Sequence, residues 1–133
     1  MKRLFLVLFL MLSFPCFAQV NLDKIASIES SNNPNAHNKK SGAYGTFQIT
    51  KIALADFNQE NGTRIKFKNL KEECLSAHIA TWLFEVRIPQ LLRNKGYKPT
   101  LARILTVYNC GISCVGKPLP EETQNYIEKY HKK

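Results

Sequence analysis

The chain has 133 residues, with 19 Lys and Arg against 10 Asp and Glu, for a formal charge of +9. That length accommodates one hydrophobic core and not a second, and no repeat or linker divides it. A charge of this sign favours anionic partners. Zinc has no CxxC or HExxH spacing to hold it, so His37, His78 and His131 fall into no metal-site pattern.

Lys2 and Arg3 precede an apolar run over residues 4–14, and Cys16 and Ala18 are small residues ahead of the polar Gln19. This pattern predicts a secretory signal peptide at residues 1–18, because the run is shorter than the roughly 20 residues of a membrane span. The competing readings are an uncleaved anchor and lipid attachment at Cys16. Residues 19–133 then form the single domain. It carries a net charge of +7, since the first 18 residues hold two basic and no acidic side chains. Export turns the expected anionic partner from nucleic acid to a wall polymer or membrane surface. It places the protein in the periplasm or outside the cell, wall-associated, with no stable membrane span once the signal is removed.

Asn21 can cap a first helix whose apolar positions Leu22, Ile25, Ala26 and Ile28 recur at helical spacing, with Glu29 as its last residue. Three to four residues after Ile25 and Ala26, Glu29 lies on the apolar face, where a carboxyl group is costly unless neutral or functional. Residues 41–50, with Gly42 and Gly45 and alternating apolar positions, predict a short hairpin or irregular loop. A short helix follows from about Lys51 to Glu60, broken at Asn61-Gly62. A longer one begins near Leu70, carries Leu75, Ile79, Trp82, Leu83 and Val86 on one face, and bends or ends at Pro89. Leu101, Ile104, Leu105 and Tyr108 mark another helix, closed by Gly111. The last starts at Pro120, with Glu121 and Glu122 in its first turn and lysines at its end, as the helix dipole favours. The expected fold class is mainly α, with a small hairpin or loop insert.

Four blocks in order resemble the signature of the soluble lytic transglycosylase family. Residues 29–36, ESSNNPNA, are similar to E-S-x-x-N-P-x-A, and residues 42–50, GAYGTFQIT, to G-A-x-G-L-M-Q-I-x. Residues 107–111, VYNCG, are close to A-Y-N-A-G, and residues 122–126, ETQNY, to E-T-x-x-Y. The resemblance implies a lysozyme-like fold and peptidoglycan glycan strands as substrate, with no cofactor or metal. It implies Glu29 as the acid/base, Ser30 as a neighbour positioning substrate or the Glu, and Gln48 and Phe47 as cleft residues. Tyr108 would direct its hydroxyl at the catalytic carboxyl, Asn109 would support the loop around it, and Glu122, with Tyr126, would hold the last helix against the site. Departures are Thr46-Phe47 for the Leu-Met pair, and Val107 and Cys110 for alanines. Cys74 followed by Ala80, Trp82 and Leu83 is similar to a spacing in the small specialised transglycosylases of secretion and conjugation machines, which implies such an apparatus as a partner.

Glycoside hydrolases usually employ two carboxyl groups, and no Asp or Glu occurs over residues 30–55. A transglycosylase works with one, because the substrate's own 6-hydroxyl replaces water. Three other readings are a hydrolytic muramidase of the same fold, an inactive wall-binding module of an envelope machine, and a basic antimicrobial acting on membranes. Of Cys74, Cys110 and Cys114, two are expected to pair in an oxidising compartment. Antiparallel helices would bring Cys74 near Cys114, the preferred partner, or near Cys110. A local Cys110–Cys114 bridge is the runner-up.

Overall fold

The computed structural model describes residues 19–132, so the expected signal peptide lies outside the described residues. The described residues form six α-helices: α1 (Leu22–Ser30), α2 (Lys51–Asn61), α3 (Glu73–Trp82), α4 (Ile88–Asn94), α5 (Leu101–Cys110) and α6 (Glu121–Lys132). Short 3-10 turns at Phe67–Lys71 and Ile112–Cys114 and a π-helical segment at Leu83–Arg87 complete the set. No described helix is long and apolar enough to cross a membrane.

Local chemistry starts the helices where the sequence places them. The side chains of Asn21, Thr50 and Thr100 accept hydrogen bonds from the backbone N–H of Lys24, Ala53 and Arg103, satisfying donors that each first turn leaves open. Gly62, at φ +64, ends α2. Of the hairpin or irregular loop expected at residues 41–50, the loop is what forms: among the described residues it holds only isolated bridges, Tyr44 to Ile49 and Tyr44 to His37.

The expected long helix is three pieces. A 3-10 turn precedes α3, and the π-helical segment joins α3 to α4. Pro89 does not end the helix; it sits in the first turn of α4, where a missing N–H is tolerated. The wider π turn shifts the helical phase, so Leu83 and Phe84 are buried while Val86 is turned out to solvent.

One core holds the elements together. Ile25 of α1, Ile49 of the loop, Leu70, Ile79 of α3, Leu92 of α4 and Leu105 of α5 are fully buried, and α6 closes it with Tyr126 and Tyr130. α6 packs on both α5 and α1. The N–H of Asn21 donates to the Tyr130 hydroxyl at 2.9 Å, and the Lys24 ammonium donates to the Tyr130 carbonyl at 3.2 Å. The N-terminal end of α1 is therefore tied to the C-terminal turns of α6.

Candidate active site

α1 runs one residue past the expected end, and Glu29 is its penultimate residue. The chain then reverses through Ser31 (φ 54) and Asn32 (φ 62), whose N–H groups donate to the Ser27 and Ala26 carbonyls. Among the described residues the one other non-glycine with positive φ is Gln48, at 51. All three lie just past Glu29 or on the cleft wall, and strained backbone of this kind gathers at functional sites.

Ser30 joins α1 to the loop. Its hydroxyl donates to the Thr46 carbonyl at 2.7 Å and accepts from the Asn33 N–H at 3.1 Å. Gln48 donates from its amide nitrogen to the carbonyls of Ala36 and Gly45. Gly45 is required here: at φ +84, a Cβ on it would lie 2.6 Å from the Leu70 carbonyl oxygen.

The Glu29 carboxyl is mostly buried, and among the described residues it makes no ion pair. Its Oε1 accepts from the Tyr126 hydroxyl at 2.8 Å. Burial raises its pKa from 4.5 to about 7, the Tyr126 hydrogen bond opposing the rise. Burial and the nearby Glu29 carboxylate push both Tyr108 and Tyr126 above the ordinary phenol range, so both remain donors.

The contact expected of Tyr108 is made by Tyr126. Tyr108 was expected to direct its hydroxyl at Glu29, but that hydroxyl donates to the Phe47 carbonyl, and its ring stacks on Phe84 with centroids 4.3 Å apart. Tyr126 makes the contact instead. The reason is helix rotation: the buried stripe of α6, Thr123, Tyr126 and Tyr130, faces α1 and α5 and carries the phenol to the carboxyl.

Thr123, which sequence reasoning did not single out, donates to Asn109 Oδ1 at 2.8 Å and ties α6 to α5. Its place in the E-T-x-x-Y block was the available signal; in the fold it is buried. Glu122, one residue earlier, is exposed on the cleft rim.

A cleft of about 790 Å³ brings together Glu29, Gln48, Tyr108, Asn109 and Glu122. It does not include Ser30, Phe47 or Tyr126: Ser30 is engaged by the loop, Phe47 is buried in the core, and Tyr126 packs beneath the carboxyl. It also includes Asp56 and Arg87, a pair separated by 31 positions that no sequence pattern announced. Among the described residues no group of three or more His, Cys, Asp or Glu comes together as a metal site.

The expected Cys74–Cys114 bridge is corrected. Cys110 and Cys114 are joined, with Cα atoms 6.1 Å apart, and Cys74 is a free, exposed residue at the start of α3. Gly111 (φ +97) ends α5, and the 3-10 turn folds Cys114 back onto Cys110. The bridge encloses Gly111 and Ile112, two residues of the cleft wall.

The sequence model of the family described as the transglycosylase SLT domain matches residues 18–131. No curated protein and no solved structure matches the chain. Mainly helical throughout its described residues, and matched over nearly its whole length, the chain belongs to the transglycosylase SLT family of the lysozyme-like superfamily, whose members cleave peptidoglycan.

Proposed function

We propose that the protein is a lytic transglycosylase that cleaves the β-1,4 bond between MurNAc and GlcNAc, with Glu29 as its single acid/base. The observation that carries this reading is the setting of Glu29: a mostly buried carboxyl at the cleft wall, without an ion pair among the described residues, and raised to about 7. A group with that pKa is substantially protonated near neutrality and can also act as a base after giving up its proton.

In the first step Glu29 gives its proton to the glycosidic oxygen, the C1–O bond breaks, and the GlcNAc end leaves as an alcohol. The substrate's N-acetyl group steadies the positive charge left at C1. The Glu29 carboxylate, held by the Tyr126 hydroxyl, then takes the proton from the MurNAc 6-hydroxyl as that oxygen bonds to C1. The product is a 1,6-anhydro ring, no water is consumed, and Glu29 is protonated again. Tyr126 favours the charged form that exists between the two steps, while burial favours the neutral form that starts the cycle.

A second reading rests on Glu122, whose carboxyl lines the same cleft. As a base it would activate water and make the protein a muramidase. Asp56 is less suited to that part, because both its oxygens are held by Arg87. Mass spectrometry of a digest of purified peptidoglycan separates the readings. The proposal expects muropeptides with anhydro ends, lighter by one water, and expects Glu122→Gln to leave that product type unchanged. Reducing-end MurNAc as the main product would favour the muramidase.

A further inference from the structure

We propose that Asp56 and Arg87 form a subsite for the acetamido group of an N-acetylated sugar, in the same cleft as Glu29. This rests on reading the cleft as a glycan groove, and it assigns a second recognition element within it. Ile52 and Asp56, one turn apart on α2, both line the cleft, and the π-helical segment and α4 contribute Leu83, Arg87 and Leu91.

The guanidinium is fixed by three hydrogen bonds to two partners. Its Nε and Nη2 donate to the two Asp56 oxygens at 2.6 and 2.8 Å, and its Nη1 donates to Gln90 Oε1 at 3.0 Å. The Arg87 and Asp56 side chains keep 21% and 27% of their surface exposed. A partly buried pair of this kind adds little stability over apolar packing, so folding alone does not account for its place in a cleft wall. The π-helical segment that ends at Arg87 points the same way, since such turns concentrate at functional sites.

The ligand class follows from what the pair leaves open. Nη1 and Nη2 each retain a proton, and each Asp56 oxygen retains a lone pair. The pair has no net charge, so it does not select an anion, and a carboxylate would face Asp56. A secondary amide offers an acceptor for Arg87 and a donor for Asp56. Beside the pair, Ile52 is 83% exposed, a large aliphatic surface left in water. The acetamido group supplies the carbonyl, the N–H and a methyl for Ile52. A sugar hydroxyl supplies no methyl.

Binding is measured by calorimetric titration in a Glu29→Gln background, so that the outcome does not depend on the catalytic reading. The probes are N-acetylchitohexaose and cellohexaose, the latter a neutral strand with hydroxyls in place of acetamido groups. The double variant D56N/R87Q removes both charges together, and Ile52→Ser alters an exposed residue that the core does not use. The double variant is expected to bind N-acetylchitohexaose about tenfold more weakly, the loss of one or two hydrogen bonds, and Ile52→Ser about threefold more weakly. Neither is expected to change cellohexaose binding.

Unchanged N-acetylchitohexaose affinity in both variants, or an equal loss for cellohexaose, overturns the subsite. So does a parent protein that binds neither probe. Glycan strands with and without stem peptides supply the remaining arm: an effect confined to peptide-bearing strands would assign the pair to a peptide amide and overturn the acetamido assignment. A parent that binds N-acetylchitohexaose as expected, in a protein whose native Glu29 form cleaves no glycan, would retain the subsite and remove the catalytic reading.

Discussion

Glu29 and Asp56 line one cleft, yet their surroundings differ in kind. Glu29 is mostly buried against α6, among the described residues has a phenolic donor and no ion pair, and its pKa is raised to about 7. Asp56 is partly exposed on α2, and both of its oxygens are held by a guanidinium. The residue type is nearly the same, and the neighbours decide the use. A mostly buried carboxyl without a cation can exchange a proton, whereas a carboxyl clamped by arginine is a fixed hydrogen-bonding surface.

The largest expected effect is on turnover. Glu29→Gln should lower kcat for peptidoglycan cleavage by at least about 10²–10⁴-fold, the range of a positioned general acid. Asp56→Asn should act mainly on KM. Equal losses of kcat in the two variants, measured on purified peptidoglycan, would erase the distinction between the two carboxyls.

The next effect is on stability. An acid whose pKa rises on folding contributes its stability in full below the unfolded value of 4.5, and loses it as pH rises to and through about 7. The loss is roughly 3 kcal/mol above that window. Glu29→Gln should therefore match the wild type below pH 4.5 and exceed it in stability at pH 8, as read by chemical denaturation at both pH values. A constant difference across the window would show that ionisation of Glu29 costs the fold nothing.

Tyr126→Phe should have a smaller effect. Without the phenol the charged form of Glu29 loses its donor, so the alkaline limb of the pH–rate profile should move to higher pH. Turnover at the optimum should fall by about tenfold, the loss of one hydrogen bond to a charged group. An unmoved limb would assign Tyr126 to packing alone.

Much of this arrangement was legible in the sequence. The stripe of Leu101, Ile104, Leu105 and Tyr108 marks α5, and the inward face of α1 identifies Glu29, because periodicity reports which side of a helix is dry. What periodicity does not report is how helices rotate against one another. Tyr108 and Tyr126 both lie in motif blocks, and only the packing of α6 on α1 decides which hydroxyl reaches the carboxyl. The π-helical turn was hidden because the stretch from near Leu70 to Pro89 read as one apolar helix bent or ended by the proline, and the phase shift at Leu83–Arg87 leaves no mark in composition. The Cys110–Cys114 bridge depended on a turn at Gly111 tight enough to return the chain within one helical turn. The Asp56–Arg87 pair is a contact between α2 and the segment leading into α4, and local sequence carries no trace of it.

The most direct measurement is a titration of the Glu29 side-chain carboxyl by carbon NMR, with Glu29→Gln identifying the resonance. The account expects a midpoint near 7, moving upward in Tyr126→Phe. A midpoint at the ordinary value of 4.5 would mean that the carboxyl is ionised at neutral pH, and would contradict its assignment as the acid.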